Sequence, residues 1–214
     1  MNRDVVLEGI RAALGQVPRS DYPEIPAPRI PADPVVHFIE RAQDLGVQVV
    51  RTASVDEAAG QVAAWCGQRG ARRAAVWTDP DLAPIVERLR TRGVEVLSPG
   101  AVPEAVADAD VGITGADWAV AETATLVLAS APDRPRITSL LPPIHLALLR
   151  ADRIVPHLSA LFARLDALPS ALTLITGPSR SADIGLVPVL GAHGPTEVTV
   201  VLLTAEHRAP TTAA

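Results

Sequence analysis

The segment of this sequence with the most chemical potential runs from Gly177 to Asp183 and reads Gly-Pro-Ser-Arg-Ser-Ala-Asp. It follows an apolar stretch that predicts a buried strand, so its polar groups should lie at the carboxyl end of that strand. The backbone N–H groups, the hydroxyls of Ser179 and Ser181 and the guanidinium of Arg180 together favour an anion-binding pocket. The alternative is a capped turn, in which a serine is the N-cap and Asp183 lies in the first turn of a helix.

A second candidate is the loop Gly191-Ala-His-Gly-Pro, which precedes the last predicted strand. Its glycines and proline place His193 in a loop and not on an apolar helix face, which favours exposure to a cleft. We therefore expect His193 to donate or accept a proton and Gly194 to lie beside the ligand. A loop histidine bonded only to a backbone carbonyl is the alternative, and His145 is a weaker candidate of the same kind.

Glu122 is the third candidate, because it lies between two otherwise apolar predicted strands. A lone carboxylate there costs free energy unless it is paired or opens onto a cleft. Its neighbours in the chain include four candidate ligand-binding or hydrogen-bonding residues, Thr114, Asp117, Thr123 and Thr125. A glutamate bonded to turn amides is the alternative. No carboxylate pair, metal-ligand spacing or serine–histidine–acid order stands out, so the sequence predicts no metal site and does not indicate a hydrolase.

Composition excludes several classes of function. All 19 basic residues are arginine, which excludes Schiff-base, pyridoxal phosphate and Walker-type chemistry, since each needs a lysine amine. The net charge of −5 argues against a nucleic-acid partner. Cys66 is the single cysteine, so the chain forms no internal disulfide and cannot by itself hold a cysteine-ligated iron–sulfur cluster. We expect Cys66 to be a buried structural thiol and any redox centre to belong to a partner.

The elements that must position these groups follow from the apolar pattern. From residue 35, amphipathic segments alternate with short β-branched ones, and the predicted helices are 36–45, 55–69 and 82–92, with strands at 47–50, 73–77 and 94–97. Strands separated by helices are joined by crossovers, which favours an α/β fold with a mainly parallel sheet flanked by helices. Asp79 or Asp81 is predicted to cap the third of these helices.

The remaining segments complete the predicted organisation. Strands are expected at 109–114, 118–121, 125–130, 172–176 and 197–203, a helix at 156–168, and either a strand or a helix at 144–149. The predicted domains are an N-terminal helix with a proline-rich arm (1–34), an α/β domain (35–205) and a flexible tail (206–214). No stretch reaches about 18 uncharged apolar residues, so we expect a cytoplasmic protein with no membrane span.

Taken together, these motifs resemble the lactate utilization protein C family, the LUD domain. The resemblance spans nearly the whole chain and rests on Gly112-Ile-Thr-Gly-Ala-Asp with Ala121-Glu-Thr, on Ser139-Leu-Leu-Pro with His145, and on the two glycine-containing loops described above. It implies a fold similar to that of sugar-phosphate isomerases and coenzyme A transferases. The family usually has glycine after Glu-Thr, where this chain has Ala124, and the difference affects any ligand contact that needs the glycine.

The resemblance implies a non-iron–sulfur component of a cytoplasmic system that oxidises L-lactate to pyruvate, with iron–sulfur proteins as partners. In this hypothesis Arg180 pairs with a small carboxylate or other anion, His193 moves a proton and Glu122 orients the ligand. The chain then has no cofactor of its own, because the clusters lie on the partners. Two alternatives stay open: a free-standing enzyme similar to coenzyme A transferases or sugar-phosphate isomerases, and a metabolite-sensing assembly module. Whether the chain is itself an enzyme, and whether it forms an oligomer, is left open by the sequence.

Overall fold

The computed structural model describes residues 3–14, 32–165, 169–182, 188–190 and 193–204. Its helices are α1 (Arg3–Leu14), α2 (Pro34–Asp44), α3 (Val55–Gln68), α4 (Ala83–Thr91), α5 (Pro103–Ala107), α6 (Ile137–Leu140) and α7 (Leu158–Phe162). Its strands are β1 (Gln48–Thr52), β2 (Arg73–Val76), β3 (Glu95–Leu97), β4 (Val111–Gly115), β5 (Trp118–Val120), β6 (Thr125–Ala129), β7 (Ile144–Arg150), β8 (Ile154–Val155), β9 (Leu172–Ile175), β10 (Arg180–Ala182), β11 (Pro188–Leu190) and β12 (Glu197–Leu203). A 3-10 turn, Ala151–Arg153, joins β7 to β8.

The main sheet has six strands in the order β1-β12-β7-β4-β2-β3, and every neighbouring pair is parallel. This confirms the predicted α/β class with a mainly parallel sheet flanked by helices. The strands are parallel because α3 connects β1 to β2 and α4 connects β2 to β3, and each helix returns the chain to the same edge of the sheet. The central strands β12, β7 and β4 are almost entirely buried, which explains their continuous apolar sequences.

Two segments of the second half needed the structure to define them. The stretch 144–149, predicted as either a strand or a helix, is part of strand β7, which lies at the centre of the sheet between β12 and β4. Its five inner residues are all buried, as in a strand covered on both faces, whereas a surface helix would expose one side. The helix predicted over 156–168 is shorter: α7 ends at Phe162, and the amide of Arg164 bonds to the carbonyl of Leu161 in a turn.

Capping side chains fix where α2 and α3 begin. Asp33 precedes α2, and its carboxylate accepts the amide N–H groups of Val35 (2.8 Å) and Val36 (3.1 Å). Ser54 precedes α3, and its hydroxyl accepts the amide N–H of Glu57 at 3.1 Å. These bonds satisfy amides that have no partner inside the helix, which stabilises each helix start by roughly 1 kcal/mol.

No side chain caps α4, so the prediction that Asp79 or Asp81 does so is wrong. The N-cap of α4 is Leu82, which makes no side-chain capping bond, and a proline lies in the first turn. That proline fits because its fixed φ suits the start of a helix and its missing N–H would have no partner there. The two aspartates instead pair with arginines at the edge of the sheet.

The main hydrophobic core lies between the six-stranded sheet and helices α2, α3 and α4. The largest fully buried side chains include Phe38 on α2, Ile85 and Leu89 on α4, and Leu146 on β7. Cys66 on α3 belongs to the same core and is fully buried, as predicted for a structural thiol. Burial raises the pKa of this thiol to about 11, so it is protonated and unreactive near neutral pH.

A second sheet has the strand order β8-β5-β6-β9. The predicted strand pair is present as the antiparallel hairpin of β5 and β6, and β8 is parallel to β5. The strand predicted over 172–176 is β9, but it is antiparallel to β6 and half-exposed at Leu174, so the expectation of a buried parallel strand there is wrong. In the turn of this hairpin Ala124 has a φ of 49°, the left-handed conformation, and it is alone in this among the non-glycine residues of the described chain. Glycine adopts this conformation without steric cost, which gives a backbone reason for the glycine that the resemblance implies at this position.

The strain at Ala124 can be measured against a second alanine of the same turn. Ala121 and Ala124 are both buried, at 0% and 3% exposure, so replacing either by glycine removes one buried methyl and adds the same freedom to the unfolded chain. Only Ala124→Gly also removes the steric strain of an alanine in the left-handed conformation, a strain energy of about 1–2 kcal/mol. We expect Ala124→Gly to be more stable than Ala121→Gly by about that amount in urea unfolding. Equal stabilities would show that Ala124 carries no strain.

The predicted N-terminal helix is present as α1. Its acidic first turn contains Asp4 and its last turn contains Arg11, an arrangement that complements the helix dipole. Three of its apolar side chains, Val5, Val6 and Ile10, are exposed. No helix in the described ranges combines the length and the apolar character needed to cross a membrane.

Candidate functional site

The strand order locates a crevice at the carboxyl edge of the main sheet. From β2 the chain continues to β3 on one side, and from β4 it continues towards β7 on the other side. Adjacent parallel strands whose connections leave in opposite directions form a topological switch point, and ligands of open α/β sheets bind outside the carboxyl ends of such strands. Here those ends are followed by Asp79 and Asp81 after β2 and by Asp117 after β4.

A cavity of about 240 Å³ lies at this switch point. We call it the carboxyl-edge cavity. Its lining has six charged side chains, three aspartates and three arginines: Asp79, Asp81, Asp117, Arg134, Arg150 and Arg153. Trp118, Leu148 and the backbone at Gly115 and Ala116 complete the walls. Such a volume lies below the roughly 300–1,000 Å³ of pockets for drug-sized ligands, so the cavity suits a small polar molecule.

Arg134 joins the two sides of the switch point. Its Nη1 donates to Oδ1 of Asp117 at 3.0 Å and its Nη2 donates to Oδ2 of Asp79 at 2.8 Å. The side chain of Asp79 is 17% exposed, so this is a largely enclosed ionic cluster. The other two carboxylate oxygens accept backbone amides, Oδ1 of Asp79 from Asp81 at 2.9 Å and Oδ2 of Asp117 from Ala129 at 2.7 Å. Each oxygen thus accepts one bond and keeps a second lone pair.

Arg150, at the end of β7, makes a bidentate pair with Asp81. Its Nε donates to Oδ2 at 2.7 Å and its Nη2 donates to Oδ1 at 2.8 Å. Hydrogen bonding to Asp81 is the main cause that raises the pKa of the Arg150 guanidinium above its ordinary value. The pair uses the planar fork of arginine fully, so it fixes the loop after β2 against the end of β7.

Arg153 differs from the other two arginines of the cavity. It makes no ion pair within the described part of the chain, and its guanidinium carbon lies 5.0 Å from the centroid of the Trp118 ring. Arg164 lies at 5.3 Å from the same ring but does not line the cavity. Arg153 therefore brings a positive charge, held on an aromatic ring, that is available to an anionic ligand.

Two of the residues singled out from the sequence, Thr114 and His145, meet beneath the site in the core. The hydroxyl of Thr114 lies 2.8 Å from Nε2 of His145, and both residues are fully buried. Burial lowers the pKa of His145 to about 4, so the imidazole is neutral at physiological pH. His145 Nδ1 has no hydrogen-bond partner among the described residues. Neither residue lines the carboxyl-edge cavity.

Glu122 and Thr123 lie in the turn between β5 and β6, and both are exposed. The amide N–H of Glu122 donates to the carbonyl of Pro156 at 3.1 Å, and its carboxylate has no ion pair or hydrogen bond within the described ranges. Thr123 belongs to a chain of hydroxyls, 2.7 Å from Thr125, which is in turn 2.7 Å from Thr176. This chain connects the hairpin turn to the end of β9.

The two predicted loops of the C-terminal part do come together. The amide N–H of Ser179 donates to the carbonyl of Pro195 at 2.8 Å, and Gly194 lies so close to Ser179 that an added Cβ would be 3.4 Å from its Cβ. Arg180 donates from Nη2 to the carbonyl of Leu45 at 2.9 Å. Since Leu45 lies just before β1, these loops are at the amino edge of the main sheet, away from the carboxyl-edge cavity.

The remaining predicted site residues lie outside the carboxyl-edge cavity or outside the described ranges. His193 is exposed in a bend before β12. Ser181 lies in β10, which pairs with β11 as an antiparallel hairpin. The alternative prediction that a helix begins near Ser181 is therefore wrong. Asp183 lies outside the described residues. Within the described ranges no group of three or more histidine, cysteine or acidic residues could hold a metal ion.

The sequence interpretation found Asp117 but missed the other charged residues of the cavity. The sequence predicts a helix-capping role for Asp79 or Asp81, and the motifs that indicate a site contain none of Arg134, Arg150 and Arg153. The available signal was position: Arg150 ends an apolar strand and the two aspartates follow another, and polar residues at the carboxyl ends of parallel strands point to one edge.

The fold and the cavity define an α/β domain with a small charged cavity at the carboxyl edge of its parallel sheet. A family model, the LUD domain, matches residues 35–203, and the chain belongs to the LUD domain family. This confirms the family resemblance seen in the motifs.

Individual relatives agree with this assignment. The chain is 36% identical over 137 residues to lactate utilization protein C of Halalkalibacterium halodurans, covering 58% of this chain and 60% of that protein. It is 40% identical over 112 residues to lactate utilization protein C of an Exiguobacterium species, covering 49% of each. These matches thus span about half to three-fifths of the relatives' length. The uncharacterized protein YkgG of Escherichia coli is 31% identical over 179 residues, 78% of each chain.

A solved structure has the same fold. The crystal structure of a DUF162 family protein from Deinococcus radiodurans superposes with a TM-score of 0.61 at 28% identity, and the match covers 80% of this chain and 96% of that one.

Proposed function

We propose that this chain is a component of a lactate utilization system and that it binds a small 2-hydroxy acid in the carboxyl-edge cavity. Two kinds of observation support the proposal. Relatives at 36–40% identity are named lactate utilization protein C. The cavity combines a guanidinium without a carboxylate partner with two aspartates, Asp79 and Asp117, whose oxygens each accept one hydrogen bond and keep a second lone pair.

The complementarity to a 2-hydroxy acid is the observation that carries the proposal. A ligand carboxylate would pair with Arg153, whose charge no described acidic residue neutralises. The neighbouring hydroxyl of the ligand would donate to Asp79 or Asp117. Each of their oxygens accepts one bond, from Arg134 or from a backbone amide, and has a second lone pair for the ligand. A 2-oxo acid lacks the hydroxyl donor, so the same groups favour lactate over pyruvate.

In this proposal the chain binds and orients the substrate, and electron transfer takes place on partner proteins. Oxidation of a 2-hydroxy acid to a 2-oxo acid releases two electrons and two protons. The single, buried cysteine, Cys66, could not ligate a cluster that accepts the electrons. Iron–sulfur partners would accept them, with the carboxyl-edge cavity facing the partner.

The test is L-lactate binding measured by titration calorimetry. It compares variants of Arg153 and Arg164, the two arginines whose guanidinium groups lie beside the Trp118 ring. Arg153→Gln removes the proposed carboxylate partner and should weaken L-lactate at least about tenfold, the scale of one charge-assisted hydrogen bond. Arg164→Gln removes the other guanidinium beside Trp118 without touching the cavity lining and should bind as the wild type does. Pyruvate should bind more weakly than L-lactate.

Three results would contradict the proposal. If L-lactate shows no saturable binding, or binds the wild type and Arg153→Gln with equal affinity, the carboxyl-edge cavity is not its binding site. A loss of binding in Arg180→Gln alone would move the site to the loops at the amino edge. Unimpaired lactate-dependent growth of cells that lack the chain would contradict the role in lactate utilization, whatever the binding result.

A further inference from the structure

The second sheet ends at a strand whose outer edge is unpaired within the described chain. This strand is β9, and β6 is its one described neighbour. The amide N–H of Ser130 donates to the carbonyl of Ala171 at 3.0 Å, so these opposite residues are a hydrogen-bonded pair of the antiparallel ladder. Bonded pairs alternate with non-bonded ones along such a ladder. The backbone N–H and C=O groups of Leu172 and Leu174 therefore point away from β6, to the outer edge of the sheet.

The side chains along this edge are apolar. Leu174 lies opposite Val127 of β6, so Leu172 and Leu174 share the sheet face of Val127. Helix α7 packs on that face, where its Leu161 joins Val127 in a small core cluster. Leu172 is partly buried against this cluster, whereas Leu174 is 46% exposed, and Phe162 of α7 is exposed to a similar extent. Exposed apolar side chains next to unpaired backbone groups are typical of a strand that pairs with another chain.

The other edge strands of the two sheets have features that hinder such pairing. β1 contains an exposed arginine, Arg51, and β3 contains an exposed glutamate, Glu95. β8 is only two residues long. Charged side chains and short length are common means by which edge strands avoid association. β9 has neither, because it is a four-residue strand of sequence Leu-Thr-Leu-Ile, and no residue from 167 to 179 is charged.

A second copy of the chain fits this edge. Two β9 strands related by a two-fold axis are antiparallel, and an axis at Thr173 sets Leu172 of one copy opposite Leu174 of the other. Both residues have outward backbone groups, so the two members of each pair exchange both of their hydrogen bonds. The leucines of both copies lie on one face, where apolar cross-strand pairs are stabilising. Since β9 is uncharged, no like charges come into contact, although each chain has a net charge of −5.

We propose that two copies of this chain associate through β9 and form a symmetric dimer, in which the two second sheets join into one continuous sheet. A two-fold interface of this kind is self-complementary and closes on itself. It uses no residue that lines the carboxyl-edge cavity, so the proposal is independent of the lactate function.

The first test is the mass of the full chain in solution, measured by sedimentation equilibrium over a range of protein concentrations. One chain has a mass of 22.4 kDa, and the average mass should rise towards twice this value. Leu174→Lys places a charge in the interface, twice in each dimer, and should raise the dissociation constant at least about tenfold. Leu174 is half-exposed in the single chain, so the variant should fold, and circular dichroism checks this.

Ile10→Lys is the matched control. Ile10 lies on α1 and is 49% exposed, close to the 46% of Leu174, so the variant removes a similar apolar surface at a different place. Val5 and Val6 of α1 are also exposed, which makes this helix the competing apolar surface for association. Ile10→Lys should leave the dissociation constant unchanged.

Amide hydrogen exchange tests the interface in the wild type, without any variant. NMR should show the amides of Leu172 and Leu174 protected at high protein concentration and exposed after dilution, because their N–H groups bond only across the dimer. The amides of Thr173 and Ile175 should stay protected at both concentrations, because they bond to β6 within one chain. This alternation identifies the edge that pairs.

Three results would overturn the proposal. The first is a wild-type chain that has the mass of one chain at every concentration. The second is protection of the Leu172 and Leu174 amides that does not change on dilution, since it would show that another part of the same chain covers the edge. The third is a dimer that Ile10→Lys weakens and Leu174→Lys does not, which would place the interface on α1. None of these results depends on whether the protein binds lactate.

Discussion

Gly112→Ala should destabilise the protein by at least about 3 kcal/mol and should prevent folding if the wild type is of ordinary stability. Gly112 lies in β4 at the centre of the sheet, where a Cβ would be 1.8 Å from the carbonyl oxygen of Thr138 and 3.2 Å from the side chain of Pro142. A contact of 1.8 Å with a backbone atom cannot be relieved by a rotamer change. The segment that contains α6 would therefore have to move away from the sheet.

Gly115→Ala is the matched control for this variant, because it makes the same change three residues later in the same strand. A Cβ there would meet its nearest atom, Oδ2 of Asp79, at 3.7 Å, an ordinary contact. We expect this variant to stay folded, although its methyl would point to the carboxyl-edge cavity. Urea unfolding of both variants measures the difference, and a Gly112→Ala protein as stable as Gly115→Ala would show that α6 does not pack against β4 as described.

The second large effect is a loss of stability in mild acid caused by His145. Burial lowers the pKa of this imidazole from 6.5 to about 4. The unfolded chain therefore takes up a proton as the pH falls below 6.5, while the folded chain stays neutral until the pH approaches 4. Stability must then decrease with decreasing pH through this window. Between pH 7.5 and pH 5 the expected loss from His145 is about 2 kcal/mol.

Chemical unfolding at several pH values measures this loss, and His145→Gln separates it from the effects of all other titrating groups. Glutamine does not titrate and can still hydrogen bond to Thr114, so the variant should lose about 2 kcal/mol less than the wild type over the same range. An NMR titration gives an independent reading, since the ring resonances of His145 should not change until the pH falls below 5. A midpoint near 6.5 would contradict the buried, neutral histidine.

The main sheet could be predicted from the sequence because its signals are local. Each helix between β1 and β3 shows an apolar stripe, and each strand a short β-branched run, so crossovers and parallel pairing follow from chain order alone. The stretch at β7 was ambiguous for the same reason: a continuously apolar run fits a buried strand and a buried helix equally well. Its neighbours β4 and β12, which decide between the two, are remote in sequence.

The charged cavity could not be predicted as a whole because its residues meet only through the strand order. The sequence singles out Asp117 only as a hydrogen-bonding neighbour of Glu122, and not as part of a charged cavity. Asp79 resembles a helix cap when it is considered with its sequence neighbours, and only the adjacency of β2 and β4 brings it to Arg134. Arg134 has no local signal, because an isolated arginine after an apolar segment is usually a solvated surface residue. Arg150 has one only through its position at the end of an apolar strand, and that position identifies a shared edge only once the strand order is known.

The ionic cluster around Arg134 has a consequence for how a ligand would associate. One guanidinium holds Asp79 and Asp117, which stand at the ends of different strands, and the pair of Arg150 and Asp81 fixes the loop after β2 from a third strand. These loops are thus ordered by intramolecular ion pairs before any ligand arrives. Association then loses little conformational entropy of the protein, so a molecule of only a few heavy atoms can be bound through a small number of contacts.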